Sequence, residues 1–370
     1  MKKEHTWHQL YKELRRSSDL FLGYPSNISC DYSELFDFFK LPLNNVGDPY
    51  GKSLYQVQTH KIERQVVEYF AKLYHISPRE AWGYVTHGGT EGNLYGLYLA
   101  RERFPNGVVY FSEDTHYSVP KIVHLLGIKH ITVKSQASGE MDYEDLEHLL
   151  KTHRDQPAIV LCNIGTTMKG AVDQPEKITK IFQQNAIRSH YIHADAALGG
   201  MILPFLRQAT IFDFRVGVDS IAVSGHKFIG MPFPSGVVVA KKRHVERVKI
   251  AIEYIGTDDT TISGSRNGIS PLMLWYAISK YGNKVFTKWA NDCVALAKYT
   301  QHALQSLGVQ SGMNSAFNTV YFSRPKDSLV KKWQLAVQGN LAHIVVMPHT
   351  SKKHIDGFLN DLKSSLLKKS

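Results

Sequence analysis

Between Thr59 and Pro78 the apolar residues Ile62, Val66, Phe70 and Leu73 recur at helical spacing, which predicts an amphipathic helix. The roughly fifty residues at the start of the chain show no such regularity and are expected to be irregular. Further on, short apolar runs alternate with helical patterns. Strands are expected at 108–111, 131–133, 158–162, 191–194, 220–223 and 236–240. Helices are expected at 94–103, 119–126, 143–151 and 176–183, and Asp142 is placed to cap the third of these. This alternation implies an α/β fold with a mainly parallel central sheet covered by helices on both faces.

From residue 289 the pattern changes. A helix at 289–307 leads to a strand at 319–322, another helix, a strand at 343–347 and a closing helix. That tail is expected to form a smaller C-terminal α/β domain. The division is an N-terminal segment (1–50), a large domain (51–288) and a small domain (289–370). In open α/β sheets ligands sit at the carboxyl ends of strands, so the chemistry is sought there.

Composition narrows the classes. A chain of 370 residues with 43% hydrophobic content can bury a large core. No run approaches the roughly 18 consecutive apolar residues of a membrane span, and the polar start, Met1 to Trp7, does not resemble a signal peptide. Cys30, Cys162 and Cys293 form no C-x-x-C pair, which suits neither a disulfide framework nor a metal site and points to the cytoplasm. The net charge of +11 is spread along the chain. Its few clusters, such as Lys241-Lys242-Arg243 and Lys368-Lys369, read as solvated faces, so neither nucleic acid nor membrane is an expected partner.

Four strand ends carry chemistry. Thr86-His87-Gly88-Gly89-Thr90-Glu91-Gly92-Asn93 leads into a helix, whose free N–H groups and close backbone suit a phosphate. Asp195, in His193-Ala194-Asp195-Ala196-Ala197, ends a strand among small residues that let a flat ring approach. Lys227, in Ser224-Gly225-His226-Lys227, follows a strand where partial desolvation would free its amine to attack a carbonyl. His116, in Asp114-Thr115-His116-Tyr117-Ser118, is placed to stack on a ring or act as an acid. Each has a plainer reading when taken alone: an empty Gly-Gly turn, a capping Asp, a lysine reaching water, a structural histidine. Together and in this order they meet the requirements of pyridoxal 5'-phosphate.

With these motifs the chain resembles the group II pyridoxal-phosphate decarboxylases of the aspartate-aminotransferase fold (fold type I). It is most similar to the bacterial histidine decarboxylases, with the plant serine decarboxylases next. The resemblance runs through Trp82 to Thr86, Asn163-Ile164-Gly165-Thr166-Thr167 and Gly264-Ser265-Arg266-Asn267-Gly268. It implies that Lys227 carries the cofactor as a Schiff base, that His116 stacks on the ring and that Asp195 pairs with the ring nitrogen. Ala197 would lie on the opposite ring face, while Gly89, Thr90, Ser224 and His226 would contact the phosphate. Thr167 would sit near the cofactor's ring oxygen or the substrate carboxylate, and His116 would also meet the substrate. The family's sites are shared across a homodimer, so Gly264 and Ser265 would reach the partner's phosphate, and Tyr254 would reprotonate the substrate carbon.

The implied reaction is decarboxylation of an L-amino acid, foremost L-histidine to histamine. L-Serine to ethanolamine is the alternative, followed by another aromatic amino acid. Two departures bear on the substrate: Ile269 stands where the histidine enzymes usually carry His, and His87 where they tend to have Asn. Tyr84 is a candidate flat wall for an imidazole. An aminotransferase or a lyase would use the same fold, and Arg266 is the motif arginine suited to a substrate carboxylate. A non-catalytic protein of the same fold is disfavoured by intact Lys227, Asp195 and His116.

Overall fold

The computed structural model describes residues 3–253 and 256–367. The N-terminal stretch is not irregular. It begins with helix α1 (Lys3–Ser18) and includes a 3-10 helix at Ser33–Lys40. Trp7, Leu10, Tyr11 and Leu14 follow the helical repeat of α1 but stay exposed, so this face is amphipathic without being buried in its own chain. A short strand, β1 (Asn44–Val46), precedes the amphipathic helix α2 (His60–Leu73), which buries Val66, Val67 and Phe70.

Next comes β2 (Ala81–Thr86), a strand that the hydrophobic pattern does not single out. Helix α3 (Gly89–Arg103) starts five residues earlier than periodicity suggests, because its first turn is glycine-rich and polar. The following elements agree with expectation to within two residues. They are β3 (Val108–Ser112), α4 (Ser118–Leu125), β4 (Lys129–Val133), α5 (Tyr143–Thr152), β5 (Ala158–Asn163), α6 (Pro175–Gln184), β6 (His190–Asp195), β7 (Ser220–Ser224) and β8 (Gly236–Lys241). Asp142 caps α5 by accepting from the N–H groups of Glu144 and Asp145.

These strands form one seven-stranded sheet in the order β2-β8-β7-β6-β5-β3-β4. The neighbours from β7 to β4 are parallel, and β8 runs antiparallel to both β7 and β2. Apart from the edge strand β4, where Lys129, His130 and Thr132 are exposed, the sheet is buried on both faces, which is why its inner strands are largely apolar runs. Val108, Tyr110, Val160 and Cys162 point into one core, and Val109, Phe111, Ile159 and Leu161 into the other. The ends of β2, β3, β5, β6 and β7 therefore open on a single edge.

After β8 come α7 (Lys242–Val245), β9 (Ile250–Ile252), β10 (Thr257–Asp259) and β11 (Ser265–Asn267), the last paired antiparallel with β1. Helix α8 (Ile269–Ser306) starts twenty residues before the helix expected at 289. Gly282 (φ 61°, ψ 177°) breaks it internally, and Pro271 sits in its first turn, where no N–H is needed. The remainder is β12 (Ser311–Met313), β13 (Thr319–Ser323), α9 (Asp327–Lys332), β14 (Ala336–Gln338), β15 (Leu341–Val345) and α10 (Lys352–Leu367). Its four strands make an antiparallel sheet in the order β12-β13-β15-β14.

The N-terminal stretch ties this smaller sheet to the large one. Leu22 and Gly23 donate N–H bonds to the carbonyls of Trp333 and Gln334, and Val345 donates to Leu22. A few residues on, Asn27 donates from its backbone to Lys227 O and from its side chain to Phe228 O, while Cys30 bonds Ile229 O.

Candidate active site

The strand ends enclose a cavity of about 300 Å³. It is lined by Gly89, Thr90, His116, Thr167, Asp195, Ala197, Ser224, His226 and Lys227, together with His87, Gly88, Asn93, Asn163 and Thr166. Residues nominated from five separate segments thus meet in one place. Gly264 and Ser265 do not line it. They are exposed, and the Ser265 hydroxyl accepts a bond from Asn44. Tyr254 lies outside the described residues.

One end of the cavity has the features that suit an anion. Gly88 adopts φ 142°, ψ 175°, a conformation open to glycine, and it turns the chain into the start of α3. A Cβ on Gly89 would stand 2.7 Å from Ser224 Oγ and 3.3 Å from Ala197 Cβ. The absence of side-chain atoms there lets the helix N-terminus, the Ser224 hydroxyl and the β6 end share one space. Free N–H groups and the positive end of the helix dipole favour a phosphate in such a place.

At the other end sits the amine. Burial lowers the pKa of Lys227 below its ordinary value, and the negative charge of Asp195 only partly opposes that shift. A larger fraction of neutral, nucleophilic amine results. The turn carrying Lys227 is held by Gly225 N–H to Ser235 O (2.8 Å), Met231 N–H to Gly225 O (3.1 Å) and the Asn27 bonds.

Asp195 ends β6 and is buried, with 8% of its surface exposed. Its Oδ1 accepts from Ala197 N–H (3.1 Å) and its Oδ2 from Asn93 Nδ2 (2.7 Å). His116 is fixed through Nδ1, which accepts the Ser118 N–H (3.3 Å) and lies 2.8 Å from Ser118 Oγ. Burial lowers the His116 pKa, Asp195 opposes the shift and Lys227 adds to it, so the ring is mainly neutral at pH 7 with its proton on Nε2. Thr166 and Thr167 lie on a loop that bends at Gly165 (φ 106°) and Gly170 (φ 64°), both packed on the ring of Phe317 from the connection between β12 and β13.

Other residues turn out differently from expectation. Arg266 is buried and its guanidinium is committed to Glu63 and to Gly47 O, so it cannot hold a substrate carboxylate in this cavity. Tyr84 is no cavity wall; its ring packs on Trp82 and Tyr95, and its hydroxyl donates to Glu91. Ile269 packs against the large core of its own chain, whereas His87 does line the cavity, its backbone N–H and Nδ1 both 2.8 Å from Glu91 Oε2. Sequence reasoning gave no role to Asn93 and Asn163. Asn93 had a signal: it stands one helical turn beyond Gly89, on the helix face that lines the cavity. Among the described residues no cluster of His, Cys, Asp or Glu is arranged to hold a metal ion.

Residues 55–310 match the family model described as the pyridoxal-dependent decarboxylase conserved domain. The chain is 45% identical over 356 residues to a histidine decarboxylase of Mesorhizobium japonicum, covering 96% of each. It is 46% identical over 344 residues to a histidine decarboxylase of Acinetobacter baumannii, covering 92% of this chain and 90% of that one. Serine decarboxylase 2 of Oryza sativa is 44% identical over 353 residues, with 95% of this chain and 76% of that one covered. Among solved structures, the L-methionine decarboxylase of Streptomyces sp. 590 superposes with a TM-score of 0.87 at 27% identity, over 98% of this chain and 95% of that one.

Proposed function

The chain belongs to the pyridoxal-dependent decarboxylase family, and from that premise we propose that it removes the α-carboxylate of L-histidine as carbon dioxide, leaving histamine. The observation that carries the histidine reading is the identity of 45–46% to two bacterial histidine decarboxylases over at least 90% of both chains. Pyridoxal phosphate, when bound, supplies a conjugated ring that takes up the electron pair released as carbon dioxide departs.

The residues of the cavity fit that cofactor, and each has a part. Lys227 offers a partly desolvated amine to the cofactor's carbonyl carbon. Gly89, Thr90, Ser224 and His226 surround the space suited to its phosphate. Asp195 presents a carboxylate to the ring nitrogen and keeps a proton there. His116 and Ala197 would flank the ring, and Thr167 would sit near its oxygen or the substrate carboxylate. Gly264 and Ser265, exposed in one chain, serve the neighbouring site of a homodimer, and Tyr254 returns a proton to the substrate carbon. Three unpaired thiols suit a reducing cytoplasm.

L-Serine is the rival substrate, favoured by the rice relative and by His87 in the cavity where the histidine enzymes tend to have Asn. Competition assays with histidine, serine, tyrosine and phenylalanine decide between them. Histidine leads in kcat/KM by at least about tenfold, roughly 1.4 kcal/mol of transition-state discrimination. A lead by serine leaves the decarboxylase reading in place and removes the histidine one.

A further inference from the structure

Behind Asp195 runs a chain of buried polar groups, of which only Asn93 also lines the cavity. Asn93 Nδ2 lies 2.7 Å from Asp195 Oδ2, and Asn93 Oδ1 lies 3.0 Å from His193 Nε2. His193 Nδ1 lies 2.7 Å from Ser220 Oγ, which in turn is 2.9 Å from the Tyr191 hydroxyl. Asn93, His193, Ser220 and Tyr191 are all at least 98% buried.

Proton counting fixes the direction of every bond. A carboxylate only accepts, so the Asn93 amide must turn its NH₂ toward Asp195 and its oxygen toward His193. That oxygen needs a donor, so the His193 proton sits on Nε2. Burial lowers the His193 pKa to about 4, which leaves Nδ1 without a proton and able only to accept. Ser220 therefore gives its single hydrogen to Nδ1, and Tyr191 donates to Ser220. Every donor points toward Asp195. The fold makes room for this arrangement: a Cβ on Gly96 of α3 would stand 2.2 Å from His193 Nδ1.

We propose that Tyr191, Ser220, His193 and Asn93 form a one-way hydrogen-bond relay that positions Asp195 and stabilises its negative charge where the cofactor's ring nitrogen is held. The proposal rests on the reading of Asp195 as the partner of that nitrogen. These four are positioning residues. Aligned donors polarise one another in a low-dielectric interior, so the outermost hydroxyl still acts on the carboxylate, more weakly than the inner groups.

The test uses the enzyme reconstituted with pyridoxal phosphate labelled with ¹⁵N in the ring, and reads the ring-nitrogen chemical shift. Asp195→Asn moves the signal to the neutral-pyridine position. Ser220→Ala and His193→Asn, which leaves Asn93 Oδ1 without its donor, move it partway, and Tyr191→Phe moves it less. His193→Gln, which keeps an N–H near the Nε2 position, restores most of the wild-type shift. Cofactor dissociation constants rise in the same order, by about tenfold for His193→Asn. In the cofactor-free protein, ¹⁵N spectra of His193 show the Nε2–H tautomer. A wild-type ring-nitrogen signal in Asp195→Asn overturns the reading of Asp195, and the relay with it. A shifted signal in Asp195→Asn, with wild-type signals in folded Tyr191→Phe, Ser220→Ala and His193→Asn, overturns the relay alone. So does an Nδ1–H tautomer at His193.

Discussion

The guanidinium of Arg266 closes on the carboxylate of Glu63 with 1% and 0% of the two side chains exposed. Glu63 also accepts from Val85 N–H (2.8 Å) and Asn45 Nδ2 (2.7 Å), so one carboxylate joins α2, β2 and the β1–β11 pair. Removing it would strand a buried cation. Glu63→Ala is expected to lower the unfolding free energy by ~3–5 kcal/mol, measured by urea titration. A loss below about 1 kcal/mol would mean that the pair contributes little, as exposed pairs do.

Lys227→Ala is expected to abolish covalent cofactor attachment and to lower turnover by at least ~10³-fold, while cofactor still binds loosely through its phosphate. Borohydride reduction of the wild type, followed by peptide mapping, should label Lys227. A label on another lysine refutes the assignment.

If Tyr254 serves the neighbour's cavity, Lys227→Ala and Tyr254→Phe damage different halves of a shared site. Mixing the two inactive proteins should then restore part of the activity, up to about a quarter of wild type if subunits pair at random. The readout is amine release by heterodimers separated with two affinity tags, in which one of the two sites is whole and about half of wild-type activity returns. Inactive heterodimers would show that each site is complete within one chain or that Tyr254 is not the acid.

Burial lowers the pKa of His60, His193 and His349 from 6.5 to about 4. As pH falls through 6.5 the unfolded chain takes up these protons while the folded one does not. Stability is therefore full above about pH 6.5 and is lost progressively toward pH 4, by at most about 1.4 kcal/mol per pH unit for each histidine. His349 packs at a tilt against Phe21, and its Nδ1 has no hydrogen-bond partner among the described residues, so His349→Phe should flatten the slope. Urea midpoints measured across that range check this, and an unchanged slope would exclude His349 as a contributor.

The large sheet was legible because its inner strands are buried on both faces, which makes them compact apolar runs. The site was legible because fold and chemistry meet at strand ends, where Asp195 and Lys227 interrupt those runs. Other features depend on distant partners. β2 mixes Gly83 with aromatic residues and is completed as a strand by β8, about 150 residues later. Arg266 carried no mark of its tie to Glu63, 203 positions away. α1 did carry a helical stripe, at Trp7, Leu10, Tyr11 and Leu14, but without flanking breakers to draw attention to it. The start of α8 was hidden by Gly268, Pro271 and Gly282, which read as interruptions and act as a helix start and an internal bend.

The bonds from Asn27 and Cys30 to Phe228 and Ile229 also impose an order in time. The ribosome makes residues 22–30 about two hundred positions before the turn that they brace, and more than three hundred before Trp333 and Gln334. A nascent chain can form α2 and the early strands while this segment waits without its partners. The lysine turn can be fastened to residues 27–30 only after residue 229 has been made, so the reactive amine is set in place well after the first strands of the sheet. Removing residues 22–30 would leave the lysine turn without its Asn27 and Cys30 bonds, while every strand of the large sheet keeps its partners.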